Sequence, residues 1–370
     1  MPERSGPLQG VRVLEFASLG PGPHCAMMLA DLGASVLTVD RAVAEGVDAE
    51  RGPRRERRFQ TPLRGRAGQL NLDLRTSESQ TRITRFLERT DVLIEGFRPG
   101  AMERLGFGPD RCLALNPRLI YVQVTGWGSD GPWSLRAGHD INYIATSGLL
   151  SLIGARGQAP VFPLNLLGDY GGGSMLAALG IASALFERER SGRGQVLDIA
   201  MTEGAALLGA AVMGACASGD WNAERGSNLL DGGAPWYRVY ETSDGRYMAV
   251  GALEEKFYVE FVSGLGLEIA AIPSRGDYAN WPHLHELFAS VFRQRTGAEW
   301  AAVFEVLDAC VTPVLSPAEA LQHPQATSRS AFVELDGVMQ PAPTPRFSRT
   351  PGCVNRGAGV APGGIEPEDW

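Results

Sequence analysis

Residues 11–40 read VRVLEFASLGPGPHCAMMLADLGASVLTVD, and this stretch decides the fold. VRVLEF (11–16) is a short β-rich run, 18–23 a Gly/Pro loop, 24–32 a stretch of helical apolar spacing stopped by Gly33, and SVLTVD (35–40) a second strand. Together they make one β-loop-α-β unit. The loop is not a dinucleotide fingerprint. Gly20 and Gly22 are followed by Cys25 where a third glycine belongs, and Pro21 and Pro23 lack the N–H groups of a pyrophosphate cradle. A nicotinamide-dependent dehydrogenase is disfavoured on that ground.

The alternation continues outward. QLNLDL (69–74) reads as a strand, 77–88 as an amphipathic helix, DVLIEGF (91–97) as a buried strand, Arg98-Pro99-Gly100 as a turn into a short helix, and RLIYVQVTGWG (118–128) as a strand running into glycines. The expected fold class is α/β, a doubly wound, mostly parallel sheet. Ligands of such sheets sit at the carboxyl ends of the strands, where Arg41, Arg98 and the 125–128 loop fall.

The chemical centre is expected between Gly138 and Met175. His139 and Asp169 each stand at a helix start, where amide N–H groups and the helix dipole favour developing negative charge. Asp169 reads as the cap of an apolar helix over 175–190, and the glycines at 171–173 as room for a ligand to approach the backbone. One more strand (195–201) and an apolar helix over 203–218 follow. Residues 236–252 then alternate in two arms around Asp244-Gly245, a hairpin signal, and Thr296/Glu299 and Ser316/Glu319 spell capping boxes. The domains expected are residues 1–225 with 330–370 as a large domain and 226–329 as a smaller α+β domain. GGIEPEDW, at the end, reads as frayed.

Composition narrows the function. A net charge of −8 and a pI near 5.3 disfavour a nucleic-acid partner. The arginines at 51, 54, 55, 57, 58, 64 and 66 are the exception, and offer a polyanionic small molecule bidentate contacts. Lys256 is the only lysine, which disfavours pyridoxal-phosphate chemistry. The five scattered cysteines suggest free thiols in a reducing compartment. No run approaches ~18 apolar residues, so a cytoplasmic protein without a membrane partner is expected. His24, His283, His285 and His323 form no metal-ligand pattern, and no metal is expected.

LQGVRVLEFASLGPGPHCAMMLADLGASVLTVDR, IEGFRPGAMERLG, GHDINY, PLNLLGDYGGGSM, ERERSGRGQVLDIAM, LDGGAPWY and VGALEEKFY together resemble the family III CoA transferases, and within them the α-methylacyl-CoA racemase branch. The resemblance runs from about Leu8 to Arg349. It implies the family III CoA transferase fold, an acyl-CoA substrate in lipid metabolism, no cofactor beyond the CoA carried by the substrate, and an interlocked homodimer whose active site is shared between chains. It implies His139 and Asp169 as the two acid/bases and Glu254 as support for that aspartate; the backbone N–H groups at the helix start after His139, that of Asp140 among them, are expected to act as an oxyanion hole. It implies CoA contacts from Arg41, Arg98, Arg64 and Arg66, and with them Asn165 and Tyr143. Two other readings use the same residues: a CoA transferase in which Asp169 is a nucleophile, and a non-catalytic CoA-ester binder. His139 favours the racemase, because the resemblance places histidine there in racemases and generally not in transferases.

Overall fold

Strand β1 (Arg12–Phe16) is buried along almost its whole length, as a strand covered on both faces of a parallel sheet must be. The computed structural model describes residues 5–41, 64–355, 365–368 and 370; the arginines at 51, 54, 55, 57 and 58 lie outside them. After β1 come α1 (Pro21–Asp31), β2 (Ser35–Asp40), β3 (Arg66–Asn71), α2 (Ser77–Leu87), β4 (Val92–Glu95), α3 (Ala101–Arg104), α4 (Pro109–Leu115), β5 (Ile120–Thr125) and α5 (Asp140–Thr146). A π-helical segment (Leu166–Met175) leads into α6 (Leu176–Ser191), β6 (Gln195–Ala200) and α7 (Met201–Leu208). The sheet runs β3-β2-β1-β4-β5-β6 with every pair parallel. This is the doubly wound order expected, and its direction reverses between β1 and β4, where such sheets take their ligands.

Side chains alternate faces along each strand. Leu14, Phe16, Leu93 and Tyr121 pack with Phe86, Phe107 and Met102 on one side. Val13, Val36, Ile94 and Val122 pack with Ala26, Leu29 and Ile181 of α1 and α6 on the other.

The described chain divides into two compact units, Met1–Ser147 with Pro163–Leu208 and Pro324–Trp370, and Gly148–Phe162 with Gly209–His323. Against the 226–329 expected, the smaller unit therefore takes in 148–162 and 209–225 as well and ends at His323. Arg225 holds the 148–162 excursion to it, donating to the Ser151 and Gln158 carbonyls at 2.9 and 2.7 Å. The apolar helix expected over 203–218 starts at Met201 and is broken at Gly209, beyond which α8 (Ala210–Ser218) belongs to the smaller unit. A glycine inside a helix costs about 1 kcal/mol against alanine, which makes it a natural break.

In the smaller unit β7 (Tyr237–Glu241) and β8 (Tyr247–Gly251) form the expected hairpin, and after α9 (Glu255–Gly264), α10 (Trp281–Phe292) and α11 (Gly297–Glu305) the strand β9 (Val311–Pro313) completes an antiparallel sheet. Both capping boxes form: the Thr296 and Ser316 amides donate to Glu299 and Glu319, each at 2.8 Å. The core is aromatic, with Phe261, Phe288, Phe292, Trp300 and Phe304 packed behind Tyr240.

The described residues of the chain end, 365–368 and 370, are anchored, not frayed. Trp370 is only 5% exposed; its indole lies edge-on to Phe86 at 5.5 Å and donates to Ser35 Oγ at 2.9 Å. Arg82 donates to the Ile365 carbonyl at 2.9 Å and pairs with Glu366 at 3.0 Å, and Arg89 holds the Pro367 carbonyl at 2.9 Å. Ile365 fills the space over Gly68, where a Cβ would lie 2.2 Å from its Cδ1. Trp370→Ala is expected to destabilise the larger unit by about 3 kcal/mol, the low end for a buried tryptophan. A denaturant midpoint equal to that of the wild type would show that this packing carries no stability.

Candidate active site

Helix α5 begins where Gly138 and Gly126 let the Tyr143 ring lie against bare backbone; a Cβ at Gly126 would sit 2.2 Å from Tyr143 Cε1. Tyr143 is buried, donates to the Gly138 carbonyl at 2.5 Å, and meets Trp127 edge-on at 4.9 Å. Its phenol is pushed up to about 12 by burial and by the nearby Asp169 and Asp140 carboxyls. Tyr143 thus braces the turn carrying His139 instead of presenting its hydroxyl as the expected CoA contact. Trp127 also lines a pocket of about 310 Å³ with Trp133, Thr146 and Thr202.

His139 is the exposed N-cap of α5; its N–H donates to Asn142 Oδ1 at 3.1 Å. The Asn142 and Tyr143 amides bond back to the His139 carbonyl. The amides of Asp140 and Ile141 stand in the first turn, where a helix has no acceptors of its own to offer.

The Asp140 side chain does something the sequence did not reveal. It is buried, and its Oδ2 accepts the backbone N–H groups of Gly168 and Asp169 at 2.5 and 2.8 Å. One carboxylate therefore ties the start of α5 to the start of the π-helical segment. Gly168 is required there, because a Cβ would lie 2.8 Å from Asp140 Oδ2.

Asp169 sits inside that segment, capped by Asn165, and does not cap α6 as the sequence suggested. Wide helical turns of this kind are rare and gather at functional sites. The three glycines that follow serve helix crossing. A Cβ at Gly204 of α7 would lie 2.1 Å from the Gly172 carbonyl oxygen, and one at Gly173 would lie 2.9 Å from Pro21 Cβ. Backbone approaches backbone, and the ligand expected against these glycines has no place at Gly172 or Gly173.

The Asp169 carboxyl is half-buried, and burial, reinforced by the Asp140 charge, raises it above the ordinary carboxylate range. The Asn165 amide, donating to Oδ2 at 3.1 Å, and the His139 imidazole pull the other way. His139 is thus within electrostatic reach of Asp169. Asn165, expected on CoA, is bonded to the Asp169 carboxyl. Gly20 completes the wall: its φ of 72° suits glycine, and a Cβ there would lie 3.3 Å from Asp169 Oδ2.

The arginines part company. Arg41 follows β2 and Arg98 follows β4, both exposed at the carboxyl edge on either side of β1. Arg64 and Arg66 do not join them. Arg64 is buried on Asp31, with Nη1 donating to the Pro341 carbonyl at 2.8 Å. Arg66 is buried on Glu15, with Nε and Nη2 donating to the two carboxylate oxygens at 3.0 and 3.1 Å. Guanidinium groups held this way have no free fork for a phosphate, so the expected CoA contacts from Arg64 and Arg66 give way to structural ion pairs. Glu254 lies in the smaller unit, as the N-cap of α9. His24 packs on the Tyr170 ring at 4.7 Å with Nδ1 2.9 Å from Ser174 Oγ. Among the described residues no cluster of His, Cys, Asp and Glu could hold a metal, and no single helix is long and apolar enough to cross a membrane.

The chain is 48% identical to the α-methylacyl-CoA racemase of Mus musculus over 93% of this chain and 87% of that one. It is 44% identical, with the same coverage, to the α-methylacyl-CoA racemase of Homo sapiens. A crystal structure of a CaiB/BaiF family protein from Brucella suis superimposes with a TM-score of 0.80 at 25% identity, covering 96% of this chain and 97% of that one. The six-stranded sheet, its reversal between β1 and β4 and the joined helix starts all fall inside residues 8–362, the span that matches CoA-transferase family III, and the chain belongs to that family.

Proposed function

We propose that this protein interconverts (2R)- and (2S)-2-methylacyl-CoA thioesters by removing the α-proton on one face and returning a proton on the other. The observation that carries the reading is the Asp140 carboxylate, which fixes Asp169 to the helix that begins at His139. A carboxyl and an imidazole carried on segments joined in this way can supply one acid/base for each face of a planar enolate.

In one direction the His139 imidazole takes the α-proton and the C–H electron pair moves into the thioester to give an enolate. Protonated Asp169 then delivers its proton to the opposite face and is left as carboxylate. The reverse reaction exchanges the roles. Asp169 must hold a proton for half of the cycle, and burial beside Asp140 favours that form. The Asp140 N–H faces the developing oxyanion, a donor typically worth ~3 kcal/mol. Arg41 and Arg98 hold the CoA phosphates, and Trp127 with its pocket offers an apolar wall to the acyl group. CoA arrives as part of the substrate and no further cofactor enters. Glu254 supports Asp169, and the working unit is a homodimer.

The rival within the family is a CoA transferase in which Asp169 attacks the thioester carbonyl and carries the acyl group as a mixed anhydride. The two are separated by incubating one enantiomer of a 2-methylacyl-CoA in deuterated water without any free carboxylic acid. Loss of optical purity with one deuterium gained at C2 is expected. Strict dependence on an added acid, with optical purity retained, would establish the transferase instead.

A further inference from the structure

Among the described residues, four acidic side chains are almost fully buried beside the sheet, two of them paired with arginine and two held by uncharged donors alone. Glu15 holds Arg66 in bidentate fashion, Asp31 holds Arg64, and Asp140 receives two amides. Glu95 is the fourth. It ends β4 at 3% exposure, directly beneath the turn Gly96-Phe97-Arg98. Oε2 accepts the Phe97 N–H at 2.7 Å and Oε1 accepts Gln123 Nε2 at 3.3 Å. Acidic groups reach it from three elements: Glu103 from α3, Asp198 from β6 and the Tyr121 phenol from β5. Among the described residues no cation pairs with it. The turn above has little room to relax, since a Cβ at Gly96 would lie 3.0 Å from Ser18 Oγ and 3.5 Å from the Val124 carbonyl oxygen.

We infer that Glu95 takes up a proton when an acyl-CoA anion settles on the Gly96–Arg98 turn, which ties ligand affinity to a carboxyl lying beneath the binding surface. The inference rests on the CoA-ester reading above. Burial holds this carboxyl up to about 7, with Glu103 and Asp198 adding to the effect. The neutral form is fully satisfied in place. One oxygen still accepts the Phe97 N–H, and the protonated oxygen donates to Gln123 once that amide turns its carbonyl inward. Protonation therefore removes a charge without breaking the turn. An anion arriving above an uncompensated carboxylate raises its pKa further, and each unit of rise corresponds to a tenfold difference in affinity between the two protonation states.

The sign follows. Below about pH 7 Glu95 is already neutral and binding is tightest. As pH rises through that value the free protein loses a proton that the complex retains, so affinity falls until the complex titrates as well. Glu95 is a positioning residue here and takes no part in the chemistry.

The test is calorimetric titration with acetyl-CoA between pH 6 and 8.5, in paired buffers of different ionisation enthalpy. Wild-type protein is expected to take up a fraction of a proton near pH 7.5 and to bind roughly tenfold more weakly at pH 8.5 than at pH 6, measured against Glu95→Gln, whose profile keeps only the titration of the ligand itself. Equal profiles for the two proteins would overturn the inference. The buffer comparison on wild-type protein does not depend on the variant folding, and zero proton uptake there would overturn it equally. Absence of acetyl-CoA binding by either protein at any pH would sink the CoA-ester reading, and this inference with it.

Discussion

Asp169→Asn is expected to lower the interconversion of 2-methylacyl-CoA enantiomers by a factor of ~10³ or more, and His139→Ala by a similar factor. A positioned proton donor or acceptor contributes typically 10²–10⁴-fold, and the two act in series. The sharper expectation concerns which hydrogen still exchanges. With Asp169 disabled, the imidazole can remove and return the hydrogen on its own face, so one enantiomer washes its α-hydrogen into deuterated solvent with retention. With His139 removed, Asp169 does the same for the other enantiomer. Opposite enantiomer preference in the two variants is the signature of two opposed bases. Loss of exchange from both enantiomers in one variant, with the other fully active, would mean that a single group serves both faces. The pH profile adds a second check. Burial and Asp140 raise the Asp169 carboxyl, and Asn165 holds it down through its hydrogen bond. The limb of the profile in which Asp169 acts as base should fall away, on acidification, at a pH above that of an ordinary aspartate. Asn165→Ala removes the restraining donor and should move that limb to still higher pH.

The sheet was legible because its strands announce themselves locally. VRVLEF, SVLTVD and IYVQVT are apolar runs bounded by glycine, proline or charge, and a parallel sheet covered on both faces needs such runs. The capping boxes and the Asp244-Gly245 hairpin were legible for the same reason, their signals lying within a few residues. What escaped depends on partners distant in the chain. Nothing near Asp140 says that its carboxylate will accept amides 28 and 29 residues away. The wide turns over Leu166–Met175 depend on α7 lying against Gly172, and the triple glycine alone is equally consistent with a ligand. GGIEPEDW looks polar and loose by composition, yet Trp370 finds Phe86 and Ser35 across the unit. His139 and Asp169 entered through helix-start positions and family resemblance; the structure supplies the link between them.

Arg66 and Arg98 show the limit of composition most directly, because the sequence offered both as phosphate ligands. Arg66→Met is expected to cost about 3–5 kcal/mol of stability in the larger unit. Its removal leaves the Glu15 carboxylate, 1% exposed, with only the Thr38 hydroxyl at 2.8 Å and no opposite charge. It also frees the Pro23 carbonyl that Nη2 holds at 2.9 Å at the start of α1. Arg98→Met removes an exposed side chain and should leave the unfolding midpoint within the ±0.5 kcal/mol usual for surface changes. It should instead raise KM for acyl-CoA roughly ten- to a hundredfold, the equivalent of one charged hydrogen bond of about 1.5–3 kcal/mol. Denaturant unfolding and KM, measured on both variants, separate the two roles. A double variant tests the cause: Glu15→Gln added to Arg66→Met removes the uncompensated charge and should restore a substantial part of the lost stability, whereas it can do nothing for affinity lost at Arg98. If Arg66→Met kept its midpoint and lost affinity for acyl-CoA, the buried pair with Glu15 would not be what fixes that guanidinium, and the phosphate-binding role would return to β3.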